Sequence, residues 1–448
     1  MKTVFPSDPS RYRTVIIVIA QYIRNGIILA LWLSLASSMA TADLRELPLQ
    51  QNNQGDWYLP AGLYTGNFII SRSVEFYCEA GAMIDANGQG DAIRIKAPNT
   101  QVRDCNVRHW GRNLTDLNAG IFVERQATNT VVQQTVLEGA GFGIWVDATP
   151  DVTLSGNRIH GDTSIRSQDR GNGIHLFAVT GALVTGNEVW HTRDGIYIDT
   201  SNGNTLKENF LHDLRYGVHY MYSHNNEVIG NHTLRTRTGY ALMQSRRLTV
   251  TGNLSEQDQN YGILMNYITY STLRQNRITG VRQGTAGGSA IDGAEGKALF
   301  VYNSPFNIFE NNRFENSDIG IHLTAGSEDN QVSGNAFINN QRQVKYVATR
   351  LQEWSLEGHG NYWSDYLGWD RNGDQIGDIP YEPNDSVDRL LWTYPQARLL
   401  MNSPAVDVLR WAQQAFPVVK SPGVRDSAPL MQPPDPGVTL TRTADGGN

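Results

Sequence analysis

Gly195-Ile-Tyr-Ile-Asp199, Asn202-Gly-Asn-Thr-Leu206 and Glu208-Asn-Phe-Leu-His212 follow one another as three short segments of alternating character separated by Gly and Asn turns. The pattern recurs. A glycine followed by a short apolar strand stands at Gly120, Gly143, Gly173, Gly195, Gly217, Gly239, Gly262 and Gly320, and from Gly173 to Gly262 the step is 22 or 23 residues throughout. A Gly-Asn pair keeps its own place in the repeat at Gly156, Gly186, Gly230, Gly252 and Gly334. Between residues 60 and 345 apolar residues alternate with period two and show no 3.6-residue period, which predicts strands and essentially no helix. A unit of this length is too short for a four-stranded propeller blade, and it lacks the leucine-rich consensus of horseshoe repeats. It fits one rung of a right-handed parallel β-helix, an all-β solenoid in which a dozen rungs rising about 4.8 Å each build a rod roughly 50–60 Å long.

Alternation assigns the faces. The first and third residues after each glycine (Ile144 and Val146, Ile174 and Leu176, Ile196 and Ile198, Val218 and Tyr220, Ile321 and Leu323) are expected inside. The second residue then points outward, giving a column of Phe122, Trp145, His175, Tyr197, His219 and His322. An aromatic and histidine ladder on the outside of a rod reads as a partner-binding surface, here assigned to Trp145, His175, Tyr197 and His219. The competing reading is a loop packed over that face. Gln275 to Asn311 absorbs a Gly-rich insert over 283–296, and a second lengthened step follows His160; inserts at solenoid turns project to one side and carry recognition or are simply tolerated.

Composition limits the function classes. The 448 residues carry a net charge of -7 and a pI near 5.8, which leaves no basic footprint for nucleic acid. Hydrophobic residues at 40% supply a large core and exclude a disordered chain. Two cysteines, Cys78 and Cys105, are too few for a disulfide framework or a four-thiolate zinc site; a single rung-to-rung bridge between them stays open. Arg11, Arg13 and Arg24 precede an apolar run from Ile27 to Leu35 that ends in small residues through Ala42, the layout of a secretory signal cleaved after Ala40 or Ala42. The further apolar stretch Val15 to Ala20 keeps a retained anchor as the alternative. The expected organisation is a signal over 1–42, the β-helix over 43–345, a cap over 346–400, and a helix with a Pro-rich tail over 401–448.

Past Val344 the texture changes. Asp370, Asn372 and Asp374 alternate and are followed by Asp378, resembling half of a calcium loop, although Gln375 stands where the loop glycine belongs and no twelfth-position Glu follows. A metal-free turn capping the open end of the rod is the other reading. Ser403-Pro404 opens an amphipathic helix through Val406, Leu409, Ala412 and Phe416, with Trp411 and Phe416 as candidate docking residues on a partner.

Tandem Gly-Ile rungs with Gly-Asn turns resemble the carbohydrate-binding-and-sugar-hydrolase group of β-helices. Gly360-Asn-Tyr-Trp-Ser-Asp-Tyr366, Asp370 to Tyr381 and the stretch Trp411 to Met431 resemble the NosD family in particular. That resemblance covers nearly all of the chain after the signal and is most specific at the C-terminal end. It implies a non-catalytic periplasmic protein that works with an ABC transporter, the ATPase NosF and membrane subunit NosY. It further implies cooperation with the copper lipoprotein NosL in assembling the copper centres of the reductase NosZ, with the membrane reached only through the transporter.

A periplasmic copper handler needs soft donors, since Cu(I) prefers thioether, imidazole and thiolate. The densest set is His219, Met221, His224 and, one rung away, Met243; Met221 and Met243 are both expected outward. Met265 keeps the count, but a one-residue insert before Gly262 turns it inward. The plain alternative is methionine as gap-filler. The rival function is a polysaccharide-binding or polysaccharide-cleaving β-helix, for which Asp147 and Asp199 share an outward column. Phe177 lies between them, and two rungs separate the carboxylates by roughly 10 Å, at the wide end for paired-carboxylate hydrolysis.

Overall fold

A computed structural model describes residues 44–283, 295–347, 350–383 and 423–434, with positions 404 and 408. The expected signal over 1–42, most of the 283–296 insert, Trp411 and Phe416 with nearly all of the helix expected there, and the end of the tail lie outside the described residues. Among those described, no helix is long and apolar enough to cross a membrane.

Each rung feeds one strand into each of three sheets. In the rung that opened the sequence reading, Asp194–Asp199 joins the first sheet, Thr205–Lys207 the second and Phe210–His212 the third. Every sheet has 13 strands, and neighbours are one rung apart in sequence, so the chain is a parallel β-solenoid of about 13 turns. Successive crossovers of parallel strands take the right-handed sense that strand twist favours. The assignment of faces holds: Ile144, Val146, Ile174, Leu176, Ile196, Ile198, Val218, Tyr220, Ile321 and Leu323 are all buried in one continuous core. Met265 is buried as well, in register with Leu242.

Apart from Gly173, which immediately precedes its strand, the marker glycines belong to the strands rather than to turns. A Cβ on Gly195 would lie 2.5 Å from the carbonyl oxygen of Gly217, and one on Gly143 would lie 2.4 Å from that of Gly173. The glycine column exists because consecutive rungs approach too closely there for any side chain.

The Gly-Asn turns hold the stack together. The Asn231 side chain is fully buried; its Oδ1 accepts from the Asn209 backbone N–H at 3.0 Å and from Asn209 Nδ2 at 2.8 Å. Its own Nδ2 donates to the carbonyl of Leu206 and to Asn253 Oδ1. The same linkage runs from Asn157 through Asn187, Asn209, Asn231, Asn253, Asn276, Asn312 and Asn335 to Asn361. At the C-terminal end Asp426 accepts the last amide and the indole N–H of Trp363. At the other end Thr135, whose N–H donates to Asn157, and then Cys105 occupy the position just before the third-sheet strand, and Cys105 is bonded to Cys78. A polar ladder thus passes into a disulfide.

The last rung is covered by segments 352–383 and 423–430. Trp363 stacks on Phe337 at 4.4 Å and on Tyr381 at 4.5 Å, and Gln352–Glu353 pairs with Val424–Arg425. One further buried group sets a pH dependence. Asp258 accepts from the Thr236 amide and from the hydroxyls of Thr233, Thr236 and Ser255, yet burial pushes its carboxyl up to about 6.

Asn231→Ala removes an acceptor from two buried donors, and at about 1–3 kcal/mol for each buried group left unpaired it should destabilise the fold by roughly 3 kcal/mol or more. Urea unfolding measures this; a loss below about 1 kcal/mol would sink the ladder as the main restraint. For Asp258, a folded pKa raised above the unfolded value makes protonation the stabilising event. That contribution is present below about pH 4 and is lost as pH rises through about 6. Relative to Asp258→Asn, the wild type should lose roughly 2 kcal/mol between pH 4 and pH 8, and parallel pH profiles of the two proteins would contradict this.

Candidate metal-handling site on the first sheet

The outward column stacks in register. Phe122, Trp145, His175, Tyr197, His219 and Ala241 are consecutive partners on the first sheet, and Phe300, His322 and Lys345 continue the column farther along. Tyr197 lies flat on His219 at 4.3 Å and meets His175 at 4.6 Å with the rings tilted by 57°.

Much of the column is covered by its neighbours. Before Gly143, Gly173, Gly195 and Gly217 the residue sits where the backbone bends into the strand, and its side chain folds over the column. Phe142 meets Trp145 edge-on at 4.7 Å, Tyr216 meets His219 edge-on at 5.0 Å, and Leu114 and Leu117 pack on Phe122 and Trp145. Trp145, His175 and His219 consequently keep only 5%, 5% and 8% of their surface, and Tyr197 is half-buried. These three side chains offer little area to a partner; packed cover is the arrangement seen at them.

The two buried histidines are held in opposite ways. Asn172 Nδ2 donates to His175 Nδ1 at 3.0 Å, the amide orientation being set by Arg193, which donates to Asn172 Oδ1. His175 Nδ1 is therefore an acceptor, and its proton sits on Nε2. Burial, reinforced by the Arg193 charge, pushes its pKa down to about 3, so the ring stays neutral. His219 instead directs Nδ1 at Asp194 Oδ2, 3.0 Å away. Asp194 is fully buried and also takes both Nε and Nη2 of Arg215, at 2.7 and 2.6 Å. Burial acts to raise the Asp194 carboxyl, but the bonds from His219 and Arg215 outweigh it and hold the group below its usual range. In its neutral form His219 carries its proton on Nδ1, toward Asp194, and the lone pair on Nε2.

That Nε2 is buried and has no partner. An imidazole whose far nitrogen is fixed by a carboxylate is the arrangement that orients metal-bound histidines. Two residues on, along the same face, stands Met221, with Met243 its register partner on the next rung; both are half-buried. The predicted donors His219, Met221 and Met243 are therefore adjacent. His224 lies in the following turn with Nδ1 buried and unpartnered, but burial and the neighbouring Arg246 and Arg247 lower its pKa, a setting less hospitable to a cation.

The carboxylates read in sequence separate into other roles. Asp147, Phe177 and Asp199 occupy one column on consecutive rungs, with Phe177 between the acids. In the C-terminal loop Asp370 accepts the amides of Gly373 and Gln375, Asn372 that of Asp374, Asp374 that of Ile376, and Asp378 that of Arg371. The loop's own backbone uses these oxygens. No group of three or more His, Cys, Asp or Glu suited to an ion occurs among the described residues.

A second histidine ladder escaped the sequence reading. On the third sheet His160, Trp190 and His212 stack at 5.0 and 5.7 Å, and His160 Nε2 lies 3.1 Å from His191 Nδ1. Each falls three residues after a ladder asparagine (Asn157, Asn187, Asn209), so counting from the Gly-Asn marker instead of the strand glycine finds it.

Fold and site together define a parallel β-solenoid protein that displays side chains in columns, its most ligand-like set being an imidazole and two thioethers. The chain belongs to the NosD family. The family profile described as "Periplasmic copper-binding protein (NosD)" matches residues 155–368. The chain is 60% identical over 411 residues to a "Probable ABC transporter binding protein NosD" of Pseudomonas aeruginosa, covering 92% of this chain and 96% of that one. It is 60% identical over 407 residues to a protein of the same description from Stutzerimonas stutzeri, covering 91% and 93%. Among solved structures, a PL6 alginate lyase bound to trisaccharide superposes with TM-score 0.46 at 11% identity, over 66% of this chain and 79% of that one. The Streptococcus pneumoniae adhesin PfbA gives 0.44 at 9%, over 64% and 83%.

The tautomers are directly measurable. Long-range proton–nitrogen NMR at neutral pH on histidine-labelled protein should show His219 protonated at Nδ1 and His175 at Nε2, with His175 unchanged down to about pH 4. His219 protonated at Nε2 would remove the argument for a free donor there.

Proposed function

We propose that this chain is a non-catalytic periplasmic accessory protein of an ABC transporter and that it handles Cu(I) as cargo at His219, Met221 and Met243, with His224 at the rim. The observation that carries the reading is the buried, unpartnered Nε2 of His219, kept as a lone-pair donor by Asp194 and placed on the same face as two register-paired methionines. Cu(I) is soft, and one imidazole with two thioethers satisfies it without a charged ligand, so the ion is held without the strong grip of thiolates. An exchangeable site of this kind suits a protein that receives an ion and passes it on.

The family description as periplasmic and copper-binding supports the compartment and the metal, and the relatives' description as transporter-binding proteins supports the association. In the fuller reading the transporter consists of the NosF ATPase and the NosY membrane subunit, the copper lipoprotein NosL supplies or accepts the ion, and the copper centres of nitrous oxide reductase NosZ are the destination. The signal over 1–42 delivers the chain to the periplasm. The loop of Asp370, Asn372, Asp374 and Asp378 acts in this reading as a turn that closes the last rungs.

Competition with a chromogenic Cu(I) chelator under reducing conditions tests the site. One Cu(I) per chain is expected, weakened at least tenfold by Met221→Leu with Met243→Leu and by His219→Gln, and unchanged by His175→Gln. Failure to bind, or binding indifferent to these three residues, would overturn the assignment.

A further inference from the structure

The corner between the first and second sheets departs from the rest of the solenoid. Its turns contain backbone positions in the left-handed region, held on the earlier rungs by small or turn-forming residues: Ala148, Asp151, Ala178, Gly181, Thr200 and Gly203. Over the next four rungs at least one of the two positions in each turn is bulky: Tyr222 beside Asn225, Arg247 beside Gln244, Tyr267 with Tyr270, and Phe306 beside Asn303, the bulky residues at φ of 50°, 54°, 56°, 54° and 62°. Bulky residues are disfavoured in that conformation, and nothing in the core recovers the cost, because the aromatics point into solvent. Tyr222, Tyr267, Tyr270 and Phe306 are 54%, 48%, 61% and 47% exposed. Bulky residues in the left-handed region also occur at other corners, as at Leu117, His191 and Arg235, but here they coincide over successive rungs with exposed aromatic rings, which marks a surface kept for contact.

The chemistry of the occupant follows from charge and ring presentation. Arg246 and Arg247 are exposed and have no carboxylate partner among the described residues, in a chain whose net charge is -7. They also flank His224. Tyr270 and Phe306 sit on adjacent rungs and stack within 10° of parallel at 5.4 Å, so these rings turn their faces to each other and their edges outward. Sugar rings dock on exposed aromatic faces; outward edges, which are electropositive, complement carboxylate oxygens as the guanidiniums do. We propose that this corner docks an acidic segment of a partner protein, with carboxylates on Arg246 and Arg247 and apolar side chains against the tyrosines and Phe306. Met221 and Met243 end the first-sheet strands that lead into these turns, so a partner seated here stands beside the proposed metal donors. The docking surface is argued independently of copper.

Photo-cross-linking tests it. With p-benzoylphenylalanine at Tyr270 of the full chain, produced in its own cells, irradiation should yield a protein adduct whose cross-linked peptide contains Asp or Glu. The yield should fall at least fivefold in Arg246→Glu with Arg247→Glu and about half as much in the milder Arg→Gln pair, and should recover when the partner's acids are changed to Lys. No adduct, an adduct indifferent to both arginine variants, or one formed with lipid or polysaccharide would overturn the proposal. Cu(I) titration of the arginine variants separates the two readings: stoichiometry should stay at that of the unmodified chain whatever the cross-linking outcome.

Discussion

The buried asparagine ladder is the constraint on which the rest of the solenoid depends. At the turn from second to third sheet the backbone bends inside the protein, and water cannot satisfy the amides exposed by the bend. Each asparagine supplies an acceptor to the amide of the preceding rung and donates through Nδ2, so every polar group of the turn is satisfied by its neighbours in the stack. The arrangement works only if each rung presents the turn at the same height. A repeat of nearly constant length follows, and the longer segments are confined to other corners. Both ends of the ladder need a different chemical solution. Asp426 accepts from Asn361 at one end; Thr135 and then the Cys105–Cys78 bridge replace amide pairing at the other.

Constant register turns side chains into columns, and columns make unusual electrostatics possible. A lone buried carboxylate is costly, but Asp194 is held by Arg215 and His219, both from the next rung. Because the solenoid sets all three positions, the neutral form of His219 places its proton on Nδ1 and leaves the buried Nε2 without a hydrogen-bond partner. His175, two steps along the column but facing an amide, takes the other tautomer. Two histidines of similar burial are thereby given different chemistry by what precedes each marker glycine, Asn172 in one rung and Asp194 in the next.

Much of this was legible in the sequence because a parallel stack converts sequence separation directly into height. The step of 22 residues predicted the register of Met221 on Met243, and the single extra residue before Gly262 predicted the inward turn of Met265. Cover over the aromatic column was not legible in the same way. Parity assigns faces along a straight strand, whereas Phe142, Asn172, Asp194 and Tyr216 stand just before a glycine where the backbone bends, and their side chains come over the face that parity gives to the residues three positions on. The disulfide stayed open because a separation of 27 residues does not match the repeat, and only the three-dimensional stack puts Cys105 in the ladder position. The third-sheet histidines were missed because the strand glycine, not the Gly-Asn turn, served as the origin for counting.

A rigid stack has a consequence for what the proposed metal site is able to do. Donors fixed on a continuous sheet cannot close around an ion as a flexible loop does, since moving Met221 toward Met243 would require two rungs to shift against their hydrogen bonds and their buried asparagines. Selectivity must then come from donor softness and from the half-buried methionine stems, and release must come from an incoming ligand rather than from opening of the fold. Such ligand exchange requires the acceptor to approach the outer face at the end of the first-sheet strands. That is where the covered column gives way to the half-buried methionines and where the turn residues become large, exposed and partly cationic. The stiffness that keeps the His219 lone pair free also makes the adjoining corner the natural place for a second protein to complete the coordination.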